Sequence, residues 1–334
     1  MSFAFMLRQR ARTLGTLACA SLVAAAATSS FAQDAAASYP SKPIHIVAPF
    51  PPGGASDVMA RLLGQKLSTA WGQPVIVENK PGANGNIGAG LVAKAVPDGY
   101  TLLLMDLGSL IISPSIMRNL TYSATKDLAP VMIAGYSPHI LVVSNQLPVK
   151  SFDELVSYSK ANPGKLNFGE TPGAITHLAG VLIAQKKQLE WNYIAYKGGS
   201  QVIADLAGGQ VDAAMNSYLA TYPLVKSGKI RMLAVASPTR FKPIPDAPTV
   251  AESIPGFETG SYQGILAPAG TPKPIVEKLY KELAKIIASP EMKQRFEDIG
   301  TEPVNKTPEE FGAWLEKEIA FWGKVVRDNN VKVD

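Results

Sequence analysis

Short apolar runs rich in β-branched residues alternate with segments of helical period along almost the whole chain. Helices alternating with strands in this way are typical of sheets that are wrapped by helices and contain many parallel pairs. The sequence therefore predicts an α/β fold. The predicted strands are Ile44 to Ala48, Val75 to Val77, Thr101 to Met105, Val131 to Ala134, Ile140 to Ser144, Leu166 to Phe168, Tyr193 to Tyr196, Asp212 to Met215, Arg231 to Ala236 and Gly264 to Ala267.

The pattern of strands and helices restarts near Pro138, which indicates two lobes. A middle lobe inserted into a lobe built from both ends of the chain accounts for this restart. We expect the first lobe to comprise residues 39–137 and 262–334, and the second lobe to comprise residues 138–261. The two chain crossings between the lobes would then form a hinge.

The N-terminus has the features of a secretory signal. Three arginines precede an Ala-rich apolar segment from about Leu14 to Ala27, and the small-x-small site Ser30-Phe31-Ala32 follows it. We interpret residues 1–32 as a cleaved signal peptide, with a periplasmic mature protein that begins near Gln33. The alternative, a membrane anchor, is disfavoured because the segment is shorter than the ~20 residues that span a bilayer.

The signal peptide accounts for much of the composition that stands out. It carries the only cysteine, Cys19, so the mature chain has no disulfide, thiolate metal site or cysteine nucleophile. Lipidation at Cys19 is disfavoured because the apolar stretch before it is too short. The formal net charge of +5 falls to +2 without the three arginines. A charge this small argues against nucleic acid as a partner, and we expect a monomer.

The stretch from Phe50 to Asp57 is the strongest indication of function. It lies directly after the predicted strand Ile44 to Ala48 and directly before a predicted helix that begins at Val58. The first N–H groups of a helix lack intrahelical acceptors, and the helix dipole favours negative charge there. This Pro/Gly turn therefore predicts an anion-binding site.

A second turn has the same order of strand, small-residue loop and helix. It runs from Gly169 to His177 and falls in the second predicted lobe. Open α/β sheets bind ligands at the carboxyl ends of their strands. Two such turns that face each other across a hinge would hold a small anion between two sets of backbone amides, as a receptor does.

Enzyme-like strings do not occur in the required context. Gly88 to Ala93 matches a dinucleotide fingerprint but lies inside a predicted helix rather than after a strand. Ser157 to Lys160 matches S-x-x-K near the end of a helix that a capping box begins at Ser151. The three histidines are too scattered to suggest a metal cluster. We therefore expect no metal, cofactor or catalysis.

The chain resembles the tripartite tricarboxylate transporter receptors, also called the Bug family, along essentially its whole mature length. The strings that carry the resemblance are Tyr39 to Ile44, Pro49 to Asp57 with Ala60-Arg61, Val77 to Ala83, Pro97 to Leu102, Tyr196 to Gly199, Gly208 to Asp212 and Pro248 to Glu252. The resemblance implies a two-lobed, periplasmic-binding-protein-like fold that closes on a small organic carboxylate. It also implies delivery of that ligand to integral-membrane permease subunits.

The resemblance, taken with the two turns, assigns the candidate binding residues. They are Phe50, Gly53, Gly54, Ala55, Ser56 and Asp57 in the first turn, Gly169, Glu170, Thr171, Gly173, Ala174 and His177 in the second, and Asp106, Ser109 and Asn216 after two further strands. For His177, packing within its turn is an equally good alternative to ligand contact.

The sequence departs from the family pattern at several of these positions. Asp106, Glu170 and Asn216 replace residues of different chemistry, and Ala174 lies near a usual hydroxyl residue. Acidic groups at Asp106 and Glu170 would suit a ligand with an ammonium group; alternatively, they cap the helices that follow. A dicarboxylate, an aromatic acid and an amino acid all remain open as ligands.

Two other functions compete with transport. A sensory protein that presents its closed form to a signalling kinase would have the same sequence features. An exported hydrolase or lyase would use Asp57, Glu170 and His177 as acid and base groups.

Overall fold

The computed structural model describes residues 37–329 and residue 331, so the predicted signal peptide lies outside the described residues. Ten strands form one mixed sheet. Their bounds are β1 Ile44–Ala48, β2 Val75–Asn79, β3 Thr101–Asp106, β4 Leu128–Ser144, β5 Leu166–Glu170, β6 Trp191–Ala195, β7 Ala213–Ser217, β8 Ile230–Val235, β9 Gly260–Pro268 and β10 Glu302–Lys306.

Helices connect most consecutive strands. Their bounds are α1 Ala55–Trp71, α2 Asn86–Ala93, α3 Leu107–Ile116, α4 Phe152–Ala161, α5 Ile175–Lys187, α6 Gly199–Gly208, α7 Tyr218–Lys226, α8 Lys273–Ala288, α9 Pro290–Asp298 and α10 Pro308–Asp328. The last helix begins at a reciprocal capping box formed by the side chains and backbone N–H groups of Thr307 and Glu310. None of the described helices is both long enough and apolar enough to cross a bilayer.

The main path of the sheet has the strand order β2-β1-β3-β9-β4-β7-β5-β6, and β8 and β10 also pair with β4. Parallel ladders join β1 to β2 and β3, and β5 to β6 and β7. The ladders of β4 and β9 are antiparallel. The α/β fold predicted from the alternating pattern is confirmed.

The strand β4 joins the two parts of the sheet. Residues 128–138 pair with β9, whereas residues 139–144 pair with β7 and β8. The prediction of two separate strands in this region was wrong, because the ladder continues through Pro138, which faces Gly260 across the β4–β9 pair. We call the strands β1, β2, β3, β9 and β10 the first half of the sheet, and β5 to β8 the second half.

Helices cover both faces of the sheet. On one face of the first half, α1 and α8 bury Leu63, Leu67 and Leu279 against the strands. On the other face one apolar cluster runs through both halves, from Leu103 to Phe168. The helix α10 contributes to that cluster and packs on β4, α3 and α5. Its apolar face therefore belongs to the core.

Candidate functional site

A cavity of about 420 Å³ lies where several strands reach their carboxyl ends. Residues from the turn after β1, from the end of β3, from the turn after β5 and from the end of β7 line it. Parallel strands end at a common edge of a sheet, so loops distant in the sequence meet there. The prediction that the two Pro/Gly turns approach one space agrees with this placement.

In the first turn, backbone amides rather than side chains face the cavity. Gly54 is the N-cap residue of α1, and no side chain caps the helix. Gly53 has φ +81°, a conformation that glycine adopts without strain. Gly54, Ala55 and Ser56 line the cavity, so the N-terminus of α1 faces it with amides that lack a side-chain partner.

Asp57 stabilises the first turn from behind. It is only 3 % exposed and accepts hydrogen bonds from the N–H of Gly53 at 2.9 Å and from Asn79 at 2.9 Å, and it pairs with Arg61 at 2.9 Å. Burial raises the pKa of Asp57, but the bonds from Arg61, Gly53 and Asn79 outweigh burial and place the pKa below its usual value. The side chain therefore stays ionised and holds the turn without lining the cavity.

A closed set of hydrogen bonds ties the first turn to β3 and β9. Ser56 Oγ donates to Oε1 of Gln263 at 2.8 Å and accepts from the N–H of Asp106 at 3.1 Å. Gln263 Nε2 donates to Ser261 Oγ at 2.9 Å, and Ser261 donates to Asp106 Oδ2. Both polar ends of Gln263 are thus engaged, which fixes Ser56 at the cavity wall.

Asp106 is the N-cap residue of α3. Its Oδ1 accepts the N–H of Gly108 at 2.8 Å, and its Oδ2 accepts from Ser261. Burial raises the pKa of Asp106, while the two hydrogen bonds oppose that rise. The cap predicted as one alternative for Asp106 is present, although the residue also lines the cavity with Ser109.

The second turn also presents the start of a helix without a side-chain cap. Ala174 is the N-cap residue of α5, and Gly173, Ala174, Ile175 and Thr176 line the cavity. Gly173 has φ +73°. The amides at the beginning of α5 therefore lie on the same cavity as those of α1.

Glu170 and His177 lie beneath the second turn rather than in the cavity wall. Oε2 of Glu170 is 3.1 Å from Nδ1 of His177, which also accepts the N–H of Gly173 at 3.2 Å. Burial raises the pKa of Glu170 to about 7 and lowers the pKa of His177 to about 4. Because Nδ1 accepts the hydrogen bond from the N–H of Gly173, the contact with Glu170 is attractive only when that carboxyl group holds a proton.

A third group of cavity residues comes from the second half of the sheet. His139 of β4 faces Ser217 of β7 in the antiparallel ladder, and both line the cavity with Gly199. Asn216 lies behind them: its Nδ2 donates to the carbonyl of Gly199 at 3.0 Å and its Oδ1 accepts the N–H of Ser217 at 2.8 Å. Ser217 is the N-cap of α7, and Gly199 begins α6.

The structure brings eight of the fifteen candidate residues to the cavity wall, namely Phe50, Gly54, Ala55, Ser56, Asp106, Ser109, Gly173 and Ala174. The other seven do not line the cavity, namely Gly53, Asp57, Gly169, Glu170, Thr171, His177 and Asn216. Several of these seven support the turns. Thr171, for example, accepts the N–H of Ala174 through its carbonyl, and Gly169 packs against Val202 and Val211.

Eight further residues line the cavity without having been predicted, namely Asn84, Gly108, His139, Ile175, Thr176, Gly199, Ser217 and Gln263. Some carried a signal: Gly199 ends the family string Tyr196 to Gly199, and Ile175 and Thr176 lie within the second turn. Gln263 carried none, because its place at the site depends on the pairing of β9 with β3.

The electrostatics of the wall favour an anion. The wall includes one acidic residue, Asp106, and no lysine or arginine. The first residues of α1, α5 and α6 and the N-cap residue of α7 reach it, and none of these four helices has a side-chain cap. Within residues 37–329, no cluster of three or more His, Cys, Asp or Glu side chains is arranged to hold a metal ion. The available donors are backbone amides and neutral side chains, which suit a carboxylate.

Known proteins are similar to this chain in sequence and in fold. The family model described as tripartite tricarboxylate transporter family receptor matches residues 59–331. Protein BugT of Bordetella pertussis is 36 % identical over 298 residues, which cover 88 % of this chain and 91 % of that protein.

Two solved structures are similar over nearly their whole length. "R. palustris Rpa4515 with adipate" is 34 % identical, with a TM-score of 0.79, and the match covers 88 % of this chain and 99 % of that one. "MatC (Rpa3494) from Rhodopseudomonas palustris with bound malate" is 30 % identical, with a TM-score of 0.74, and covers 86 % and 100 %. With the family match over residues 59–331, these likenesses show that the chain belongs to the tripartite tricarboxylate transporter receptors, a family of solute-binding proteins.

Proposed function

We propose that this protein is a periplasmic receptor that binds a small dicarboxylate in the cavity and delivers it to membrane permease subunits. The observation that carries the proposal is the convergence of four helix N-termini without side-chain caps on a wall that has no lysine or arginine. A bound carboxylate would supply the acceptors that these amides lack.

We assign most of the first half of the sheet to one proposed lobe, residues 39–137 with 262–334, and the second half to the other, residues 138–261. The turn after β1 belongs to the first lobe, and the turn after β5 belongs to the second. A ligand that contacts both turns stabilises the closed arrangement, because only that arrangement offers both sets of amides at once.

A dicarboxylate suits the wall better than an amino acid does. An ammonium group needs an acceptor, but both carboxylate oxygens of Asp106 already accept hydrogen bonds from Gly108 and Ser261. Glu170 lies off the cavity. The similar structure of Rpa4515 is one with adipate and that of MatC is one with bound malate, and both ligands are dicarboxylates.

The rival hydrolase or lyase needs an acid and a base next to the ligand. Asp57, Glu170 and His177, the groups it would use, all lie behind the wall. Asp57 is engaged by Gly53, Asn79 and Arg61, and Glu170 faces His177. This placement favours the receptor over the enzyme.

Titration calorimetry of the mature protein tests the proposal. The probes are the straight-chain dicarboxylates from malonate to suberate, together with malate and the monocarboxylates of matching length. We expect at least one dicarboxylate to bind stoichiometrically and without turnover. In thermal unfolding the same ligand should raise the free energy of unfolding by RT ln(1 + [L]/Kd). If none of the dicarboxylates binds, the proposal fails.

The transport step needs its own experiment. Proteoliposomes that contain the cognate permease should take up labelled dicarboxylate only when the receptor is added. Binding without such uptake, together with a ligand-dependent complex with a kinase, would instead identify the sensory protein.

A further inference from the structure

We propose that His139 is a specificity-determining residue that donates a hydrogen bond from Nε2 to the second carboxylate of the ligand. This inference rests on the proposed function and deepens it, because it assigns a recognition role to a residue outside both turns. His139 is only 5 % exposed and lies in the middle of the sheet, yet it lines the cavity.

One ring nitrogen of His139 has a protein partner and the other has none. Nδ1 lies 3.3 Å from the hydroxyl of Thr259, which is itself buried. Among the described residues no group forms a hydrogen bond with Nε2. Two side-chain atoms of these residues are fully enclosed without a partner, on Glu170 and Thr221, and Nε2 of His139 is not one of them, so it is open to the cavity. Nε2 is therefore the polar atom that this buried ring offers to the cavity.

The hydroxyl of Thr259 allows the ring to act as a donor towards the ligand. When the hydroxyl donates to Nδ1, the ring proton is on Nε2. Burial lowers the pKa of His139 to about 4, so the ring is neutral near neutral pH. A neutral ring with its proton on Nε2 presents a single N–H donor, which matches a carboxylate oxygen.

The surroundings of His139 also favour an anion. Ser217, opposite His139 in the ladder, is the N-cap of α7, and Gly199 begins α6; neither helix has a side-chain cap. Asn216 holds Gly199 and Ser217 in place through its two hydrogen bonds. A carboxylate at His139 would thus also face the positive ends of two helix dipoles.

The position of His139 is distinct from that of the first turn. Gln263, which holds Ser56, and Thr259, which contacts His139, are four residues apart along the same chain segment. At the rise of an extended strand this separation is about 13 Å. Ser56 and His139 are thus held at two separate heights along this segment, which leaves room between them for a ligand with a carboxylate at each end.

The test compares dicarboxylates with monocarboxylates of the same length in two variants. His139→Phe removes the donor and keeps an aromatic ring, whereas His139→Gln keeps an N–H donor close to the position of Nε2. We expect His139→Phe to bind the best dicarboxylate about ten- to a hundredfold more weakly and to bind the matched monocarboxylate nearly unchanged. His139→Gln should retain much of the preference.

An equal loss for both acids in His139→Phe, or no loss, would overturn the assignment. Because the readout is a ratio, a general loss of stability in the variant does not imitate the expected result. Failure of the proposed function would look different, because the unmodified protein would then bind no dicarboxylate.

Nitrogen-15 NMR of the imidazole rings gives a second readout that needs no variant to fold well. The chain has three histidines, so the ring spectrum is simple to assign. We expect the dicarboxylate to fix His139 with its proton on Nε2 and to shift that proton downfield. An Nε2 signal that does not respond to saturating dicarboxylate would contradict the proposal.

Discussion

Nδ1 of His177 lies 3.1 Å from Oε2 of Glu170, at the base of a turn whose amides face the cavity. The same nitrogen accepts the N–H of Gly173, so the pair depends on a proton held by the carboxyl group. The ring of Tyr193 covers His177 edge-on at 5.6 Å and helps to exclude water. The second turn is therefore supported by a titratable pair that does not line the cavity.

The protonation of Glu170 should make stability depend on pH. Its pKa is about 7 in the folded protein, above its ordinary value, so its contribution is complete at acidic pH and is lost as the pH rises towards 7. The lowered pKa of His177 acts in the opposite sense, because its contribution is lost as the pH falls from about 6.5 towards 4. Glu170→Gln removes only the first effect.

Thermal unfolding of Glu170→Gln and of the unmodified protein, measured from about pH 5 to about pH 8, checks this prediction. We expect the difference in free energy of unfolding to shift in favour of the variant by on the order of 2 kcal/mol as the pH rises. Glu190→Gln, at an exposed position next to the neighbouring strand β6, is the control for the chemical change alone. A flat difference for Glu170→Gln would mean that the carboxyl group is ionised throughout.

Gly54→Ser should stabilise the protein and weaken ligand binding together. Gly54 has φ −74° and an N-cap conformation, and a Cβ atom there would make only an ordinary contact with the carbonyl of Pro51. A serine hydroxyl would cap α1 and, because glycine is already a tolerated N-cap residue, would stabilise the protein by only about a few tenths of a kcal/mol. The same hydroxyl would compete with the ligand carboxylate for the amides.

Calorimetry and thermal unfolding of Gly54→Ser measure the two effects separately. The matched control is Gly53→Ala, which does not add a cap but strains a backbone at φ +81°, at a cost of about 1 kcal/mol. Tighter binding in Gly54→Ser would show that the amides of α1 do not contact the ligand.

Asp57→Asn should lower stability and should weaken the binding of all carboxylates by the same factor. An amide cannot accept from Gly53, Asn79 and Arg61 at once, so at least one donor loses its partner, at a cost of about 1–3 kcal/mol. The turn then loosens, but no ligand group loses a direct contact. Measured affinities for matched monocarboxylates and dicarboxylates should fall together, and a change in their ratio would place Asp57 in the wall.

Asp106→Asn distinguishes the two alternatives for the acidic group in the wall. Malate and aspartate differ in a hydroxyl or an ammonium group, so the ratio of their affinities reports recognition of positive charge. Because both oxygens of Asp106 are engaged by Gly108 and Ser261, we expect the substitution to leave that ratio unchanged within about twofold. A selective loss of aspartate binding would show that Asp106 recognises an ammonium group.

The parts of the site that are local in sequence could be predicted, and the parts that depend on strand pairing could not. The turn from Phe50 to Asp57 and the turn from Gly169 to His177 each show strand, loop and helix in consecutive residues. The sequence does not reveal which residues of a turn face outwards, so Asp57 and His177 were candidates although they lie behind the wall.

Gln263 and His139 reach the cavity through long-range pairing. Gln263 faces Asp106 across β3 and β9, which five other strands separate along the chain, and no local pattern predicts that register. For His139, the sequence shows only that it follows Pro138, which does not predict a place in the cavity wall. The continuity of β4 could not be predicted either. Pro138 suggested the end of a strand, but Pro138 pairs with Gly260 and the strand continues through it.

The pairing of Pro138 with Gly260 has a mechanical consequence. Both boundaries between the proposed lobes fall within hydrogen-bonded strands, at residues 137–138 of β4 and 261–262 of β9, rather than in loops. A rotation of one half relative to the other must therefore be taken up as torsion of this two-stranded ribbon. We expect such a connection to resist twisting and to favour one angle between the two lobes in the empty protein. A ligand that changes this angle would then bind against a restoring force.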